Sequence, residues 1–151
     1  MTEEARKKAM RIINARAVSK GEMIDKLTQK GIEPEDAESA ADWLEEMGAI
    51  DDRLYAASVV EYYGAKGYGT MRIKNELYRR KIDTELWEDA LLYVPDAGDA
   101  IDRFVAAKLR GKTPDSRELR RVSDALSRRG FSWDEINDGL RRYGSTGEDF
   151  D

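Results

Sequence analysis

The sequence predicts an all-α protein: three tandem three-helix repeats forming an elongated, curved array. Three observations carry this. Apolar residues recur at helical spacing along nearly the whole chain, and the three prolines, Pro34, Pro95 and Pro114, sit beside turn signals. The segment Leu27–Ile32 returns as Leu77–Ile82 and again as Leu126–Phe131, at a period of about 50 residues. Each copy is followed by an acidic helix-start signal: Glu33-Pro34-Glu35-Asp36, Asp83-Thr84-Glu85, and Ser132-Trp133-Asp134-Glu135. The expected units are residues 3–50, 51–95 and 96–143, with a disordered acidic tail at 144–151.

In the first unit, Ala9, Ile12 and Ile13 mark one helix and Met23, Ile24 and Leu27 a second. Ser19 with Glu22 forms a capping box at the start of the second. Ala37, Ala41 and Leu44 mark the third by their i, i+4, i+7 spacing. The second unit opens at Asp51-Asp52, where carboxylates complement a helix N-terminus. Its three apolar faces read as Tyr55, Val59 and Tyr62, then Ile73 and Leu77, then Trp87, Leu91 and Val94. Gly64, Gly67 and Gly69 read as one loop between the first two. In the third unit the faces are Ile101, Phe104 and Val105, then Leu119, Val122 and Leu126, then Ile136, Leu140 and Tyr143. Asp115 with Glu118 and Ser132 with Glu135 are its capping pairs. A three-helix unit of this size makes a marginal core, so neighbours are expected to bury each other's apolar faces.

Composition narrows the chemistry. The chain has 151 residues, no His and no Cys. Disulfides, thiol nucleophiles, Cys-ligated metals and the Ser-His and Cys-His constellations are therefore absent. What remains for catalysis is carboxylate, Lys or Tyr chemistry, or Mg²⁺ held by oxygens, and no enzyme, cofactor or metal is expected. The pairs Glu45-Glu46, Asp51-Asp52 and Glu88-Asp89 read as caps and solvated charges, because adjacent residues on a helix do not face each other. Charged residues make up 38%, and the mean hydropathy is −0.73. No apolar run is long enough to span a membrane and the first residues lack a signal-peptide core, so a cytoplasmic protein is expected.

The formal charge of −5 argues against nucleic acid as a partner. Resolved along the chain it hides two basic stretches. Lys66, Arg72, Lys74, Arg79, Arg80 and Lys81 face a single acid, Glu76, and seven bases lie between Arg110 and Gly130 against three acids. In the second stretch Arg117, Arg121 and Arg128 share one helix face opposite Leu119, Val122 and Leu126. Two readings stand: a groove that meets phosphate or an acidic partner, or solvated helix faces laced with i, i+4 pairs. The loop Lys66-Gly67-Tyr68-Gly69 ahead of a helix also has two readings, an anion site of free backbone amides or a tight turn. It lacks the ending of a P-loop. Tyr68 and Tyr78 could stack on bases or anchor a protein interface, whereas Trp43 and Trp87 read as packing between helices.

Three motifs in order resemble a known family. Gly48-Ala49-Ile50-Asp51-Asp52-Arg53-Leu54-Tyr55-Ala56 resembles the Gly-Tyr-Leu-(Asp/Asn)-Asp-x-x-Phe-Ala signature of the RecX regulatory family. Lys66-Gly67-Tyr68-Gly69-Thr70-Met71-Arg72-Ile73-Lys74-Asn75-Glu76-Leu77 looks like its Lys-Gly-x-Gly-x-x-Arg-Ile-x-x-Glu-Leu signature. Arg128-Arg129-Gly130-Phe131-Ser132 resembles its third-unit Arg-Gly-Phe-Ser pattern. The departures are Ala49-Ile50 for Tyr-Leu, Tyr55 for Phe, and Lys81 where a glycine is typical.

The resemblance implies a regulator of the RecA recombinase that binds the RecA–DNA filament and modulates strand exchange, ATPase and co-protease activity in recombination and SOS repair. The implied partners are the RecA filament and, within it, single- or double-stranded DNA; a monomer that uses no membrane is expected. The contact candidates are Lys66, Tyr68, Arg72, Lys74, Arg79, Arg80, Arg117, Arg120, Arg121, Arg128 and Arg129, and the motif positions are Gly48, Asp51, Asp52, Gly67, Gly69, Glu76, Leu77, Gly130 and Phe131. The alternative is a helix-turn-helix-type module that binds DNA without RecA.

Overall fold

A computed structural model describes residues 1–144; the expected acidic tail lies outside the described residues from 145 onward. The described chain is all helix. Its elements are α1 (Glu3–Ala15), α2 (Lys20–Gln29), α3 (Pro34–Glu46), α4 (Asp52–Ala65), α5 (Thr70–Arg79), α6 (Trp87–Leu91), α7 (Ala97–Leu109), α8 (Ser116–Arg128) and α9 (Trp133–Leu140). Short 3₁₀ turns at Thr84–Leu86 and Arg141–Tyr143 flank α6 and α9.

The helix starts follow the local chemistry. Ser19 caps α2, Asp115 caps α8 and Ser132 caps α9, each in a complete capping box with the glutamate three residues on. Each such cap stabilises its helix by about 1 kcal/mol, because it satisfies amides that have no partner within the helix. Pro34 occupies the first turn of α3, where a missing N–H costs nothing. Asp51 accepts from the amide of Leu54 and opens α4.

The described residues divide into two compact units, 1–59 with 76–90, and 60–75 with 91–144. The division therefore runs through α4 and through α5. In the first unit, Ala5, Ala9 and Ile12 of α1, Met23 and Leu27 of α2, and Ala37, Ala40, Ala41 and Leu44 of α3 form one core, closed by Val18, Ile32 and Ile50. Trp43 packs on its edge. The second unit has its own core: Ile101, Val105 and Leu109 of α7, Leu119, Val122 and Leu126 of α8, Ile136 and Leu140 of α9, and Phe131 between them.

Three expectations about local structure are corrected. The buried face of α4 is Ala56, Val59 and Val60, not Tyr55, Val59 and Tyr62; Tyr62 is 54% exposed. Small residues hold this face, which admits close neighbours, while Tyr55 stands half-buried beside it with its hydroxyl against Glu22. Gly64 is not in the loop but inside α4, where a Cβ would meet Pro95 Cδ at 2.7 Å. Finally, α6 ends at Leu91 and buries Ala90, so Leu92, Tyr93 and Val94 lie beyond it.

The turns after α2, α5 and α8 share one geometry. The next-to-last position of each repeated segment has a positive φ: Gly31 at +91°, Lys81 at +56° and Gly130 at +98°. In each, an amide beyond the turn returns to a helix carbonyl: Ile32 to Leu27, Ile82 to Leu77, and Phe131 to Leu126. This is the Schellman-like ending that favours glycine, and Lys81 adopts it with a side chain.

Candidate functional site

Within the first unit, the start of α2 docks on the turn after α5. The Ser19 hydroxyl donates to the carbonyl of Arg80, and the amide of Lys20 donates to Asp52 at 3.0 Å. Lys81 pairs with Asp25, and an added Cβ on Gly21 would meet Lys81 Cβ at 2.8 Å. Burial pushes the Asp52 carboxyl above the usual range, and its bond from Lys20 offsets this only in part. Lys20 is held above its ordinary pKa by its hydrogen bond to Asp42, with Glu45 adding to it.

The motif residue Glu76 is 2% exposed and receives both Arg80 and Arg79, the latter at 3.3 Å. The Arg80 guanidinium also donates to the Glu76 carbonyl at 3.1 Å. Arg80 is thus committed to the fold, while Arg79 keeps most of its side chain in water. Leu77 is fully buried. Gly48 has a φ of +78° in the turn after α3. Arg53, in the first motif, reaches Asp89 at 3.0 Å.

The second unit repeats the docking. The amide of Gly69 donates to the carbonyl of Arg129 at 2.8 Å, and that of Met71 to the carbonyl of Gly130 at 3.0 Å. Two amides at the start of α5 are therefore occupied by protein, and the anion-site reading of the glycine loop is overturned there. Gly67 supplies the positive φ that the tight-turn reading required, at +86°.

Tyr68 is not an open platform. Arg72 and Arg129 stand 4.9 and 5.1 Å from its ring centre, and Tyr63 meets it edge-on at 5.7 Å. Arg129 also stands 5.1 Å from the centre of Phe104 and donates to the Lys66 carbonyl at 3.2 Å. Arg129 and Arg72 thus join loop to helices, and Lys66 itself lies 4.5 Å from the Tyr62 ring. Arg117, Arg120, Arg121 and Arg128 project from α8 as an exposed basic face opposite the buried Leu119, Val122 and Leu126. Lys74 is exposed on α5.

Sequence reading missed five cations. Arg103 and Lys108 of α7 line clefts beside Phe104, and their signal was the i, i+4 step from Phe104 to Lys108. In the first unit, Lys8, Arg11 and Lys30 line a cleft of about 400 Å³ beside Ile12, in the most acidic third of the chain. Lys8 there bonds the Lys30 carbonyl at 3.0 Å and pairs with Glu4 at 2.9 Å. Among the described residues, no helix is long and apolar enough to cross a membrane.

Comparison with known proteins agrees with the motifs. Residues 5–44 match the model of the first three-helix domain of RecX, and residues 51–91 that of the second. The Regulatory protein RecX of Pseudomonas fluorescens is 36% identical over 138 residues, covering 87% of this chain and 86% of that one. The Xanthomonas axonopodis pv. citri protein of the same name is 34% identical over 139 residues, covering 89% and 84%. The crystal structure of RecX from Lactobacillus salivarius superposes with a TM-score of 0.78 at 24% identity, covering 93% of this chain and 94% of that one, which speaks to the fold. With two domain models in order, curated relatives matched almost end to end and the same helical fold, this chain belongs to the RecX family of regulatory proteins.

Proposed function

We propose that this protein is a non-enzymatic regulator that binds the RecA–DNA filament and modulates its recombinase, ATPase and co-protease activities. Family membership supports the class of activity. The observation that carries the contact surface is the exposed basic face of α8, where Arg117, Arg120, Arg121 and Arg128 project from a helix whose other side is core. No carboxylate on that helix outnumbers them: Glu118 is spent in the capping box and Asp124 is the remaining acid. Such a face attracts an acidic protein surface or nucleic-acid phosphate, and does so less as salt screens it.

Of the other candidates, Lys66, Lys74 and Arg79 contribute as exposed cations, whereas Arg72, Arg80, Arg129 and Tyr68 act chiefly by holding loops and turns in place. The protein works as a monomer in the cytoplasm on this reading. The test is co-sedimentation with RecA filaments on single-stranded DNA, with RecA ATPase measured in parallel. The wild-type chain should pellet with filaments and alter ATPase, and reversing Arg117 and Arg121 to Glu should weaken both. Wild-type protein that neither pellets nor changes ATPase would overturn the proposal; duplex binding without RecA would favour the helix-turn-helix alternative.

A further inference from the structure

The ring of Phe104 forms part of two neighbouring clefts in the second unit. The larger, about 470 Å³, has an apolar lining of Phe104, Val122 and Ala125, with Lys108, Arg121 and Arg128 around it and Asp124 as its one acid. The smaller, about 230 Å³, is lined by Lys66, Arg103 and Arg129 with no carboxylate among its residues. Six cations thus stand about one apolar wall, against one acid.

Two classes of polyanion could meet such a surface, and the ring separates them. Binding of single-stranded nucleic acid relies on open aromatic faces on which bases stack. Here Phe104 is the one aromatic side chain lining either cleft, with Lys108 and Arg129 at 5.6 and 5.1 Å from its ring centre, so there is no run of faces on which successive bases could stack. What remains accessible is the apolar side of the larger cleft, formed with Val122 and Ala125, of a size to take one bulky side chain. Arginines at its edge suit carboxylates, which they bind through paired N–H donors. Recognition of an acidic segment by an Arg cluster around an apolar anchor is a recurrent mode.

We infer that these clefts are a docking site for an acidic peptide segment, whose apolar side chain enters between Phe104, Val122 and Ala125 while its carboxylates meet Lys108, Arg121 and Arg128. This rests on the proposed role of the α8 basic face and specifies its ligand as protein rather than DNA.

The test uses the full chain and three fluorescein-labelled probes read by anisotropy. They are a heptapeptide of Asp and Glu with a central Phe, the same peptide with Ala at the centre, and an oligothymidylate of equal net charge. The Phe peptide should bind about tenfold more tightly than the Ala peptide, the increment expected from burying an aromatic side chain. Ala125→Glu should remove that preference; Arg128→Glu, at an exposed position, serves as a second variant, and circular dichroism checks that both fold. Equal binding of the two peptides, tightest binding of the oligothymidylate, or no binding of any probe overturns the inference. RecA co-sedimentation of the same preparation separates the two claims. Protein that pellets with filaments but ignores the Phe peptide loses only the peptide site, and protein that takes the Phe peptide but does not pellet loses only the filament role.

Discussion

Gly69 lies against Gly130 so closely that a Cβ on Gly69 would meet the Gly130 carbonyl carbon and oxygen and the Phe131 nitrogen at 2.5 to 2.7 Å. All three are backbone atoms, which cannot swing aside as a side-chain end can. Gly69→Ala should therefore destabilise the protein by about 1–3 kcal/mol, the usual cost of overpacking. Gly111→Ala is the matched control, because its φ is +82° but nothing lies within 4 Å of the added Cβ. It should cost only about 1 kcal/mol, from the backbone conformation alone. Urea unfolding of both variants checks the difference, and equal losses would remove the steric account.

Lys81 gives an unusual ordering of small residues. Its φ of +56° is one that glycine adopts freely and alanine does not. Both Lys81→Gly and Lys81→Ala lose the pair with Asp25, so that loss cancels from their comparison. Only the glycine variant is also relieved of the left-handed cost. Lys81→Gly should thus be more stable than Lys81→Ala by about 1 kcal/mol, the reverse of the order inside a helix. Thermal melts of the pair measure it.

Arg80 and Arg79 both reach Glu76, yet their removal should differ. Arg80 is mostly buried with the carboxylate, while Arg79 is 66% exposed. Arg80→Ala takes a charge-assisted bond from a buried carboxylate and should cost about 1–3 kcal/mol. Arg79→Ala should change stability by less than about 1 kcal/mol. If Arg80→Ala weakens filament binding without lowering the urea midpoint, its placement as a structural residue is wrong.

Asp52 predicts a pH signature. Its folded-state pKa is raised above the ordinary 3.8, chiefly by burial. The folded protein therefore holds that proton more tightly than the unfolded chain. The resulting stability is full below pH 3.8 and is lost as pH rises through the raised value. Asp52→Asn keeps an oxygen for the Lys20 amide but has no such proton. Stability plotted as wild type minus variant should fall with rising pH across that acidic window and then flatten toward neutrality. A flat difference from about pH 3 upward would show that burial does not govern this carboxyl.

Much of the fold was legible because caps and periodicity are local. Ser19, Asp115 and Ser132 announced three helix starts within four residues each, and the stripe of α8 held as read, while Tyr143 of the last stripe lies past the end of α9 in a 3₁₀ turn. The second three-helix segment was read less well. Tyr55 and Tyr62 have the spacing of a buried stripe, but Ala56, Val59 and Val60 carry the contact, since hydropathy ranks a tyrosine near a core residue and says nothing of how close a neighbour comes. The basic residues were visible as a list but not as roles. Arg80 with Glu76 has the i, i+4 spacing of a helical pair, but the burial of that pair, and the approach of Arg129 to Tyr68 and Phe104, depend on tertiary structure that no spacing announces. The same holds for Gly69, whose missing side chain serves a contact about 60 residues away rather than its own turn.

The line between the compact units falls inside α4 and α5, so the period of the sequence and the grain of the fold are out of phase. Ser19 finds its acceptor at Arg80, and Gly69 finds its own at Arg129, in each case beyond the sequence copy to which the donor belongs. Gene duplication can multiply such a segment, but a single excised copy carries the donor of one joint and the acceptor of another, with neither satisfied. A truncation at a copy boundary therefore severs a folding unit: the length that repeats in the sequence and the length that packs as one body are different measures of the same chain.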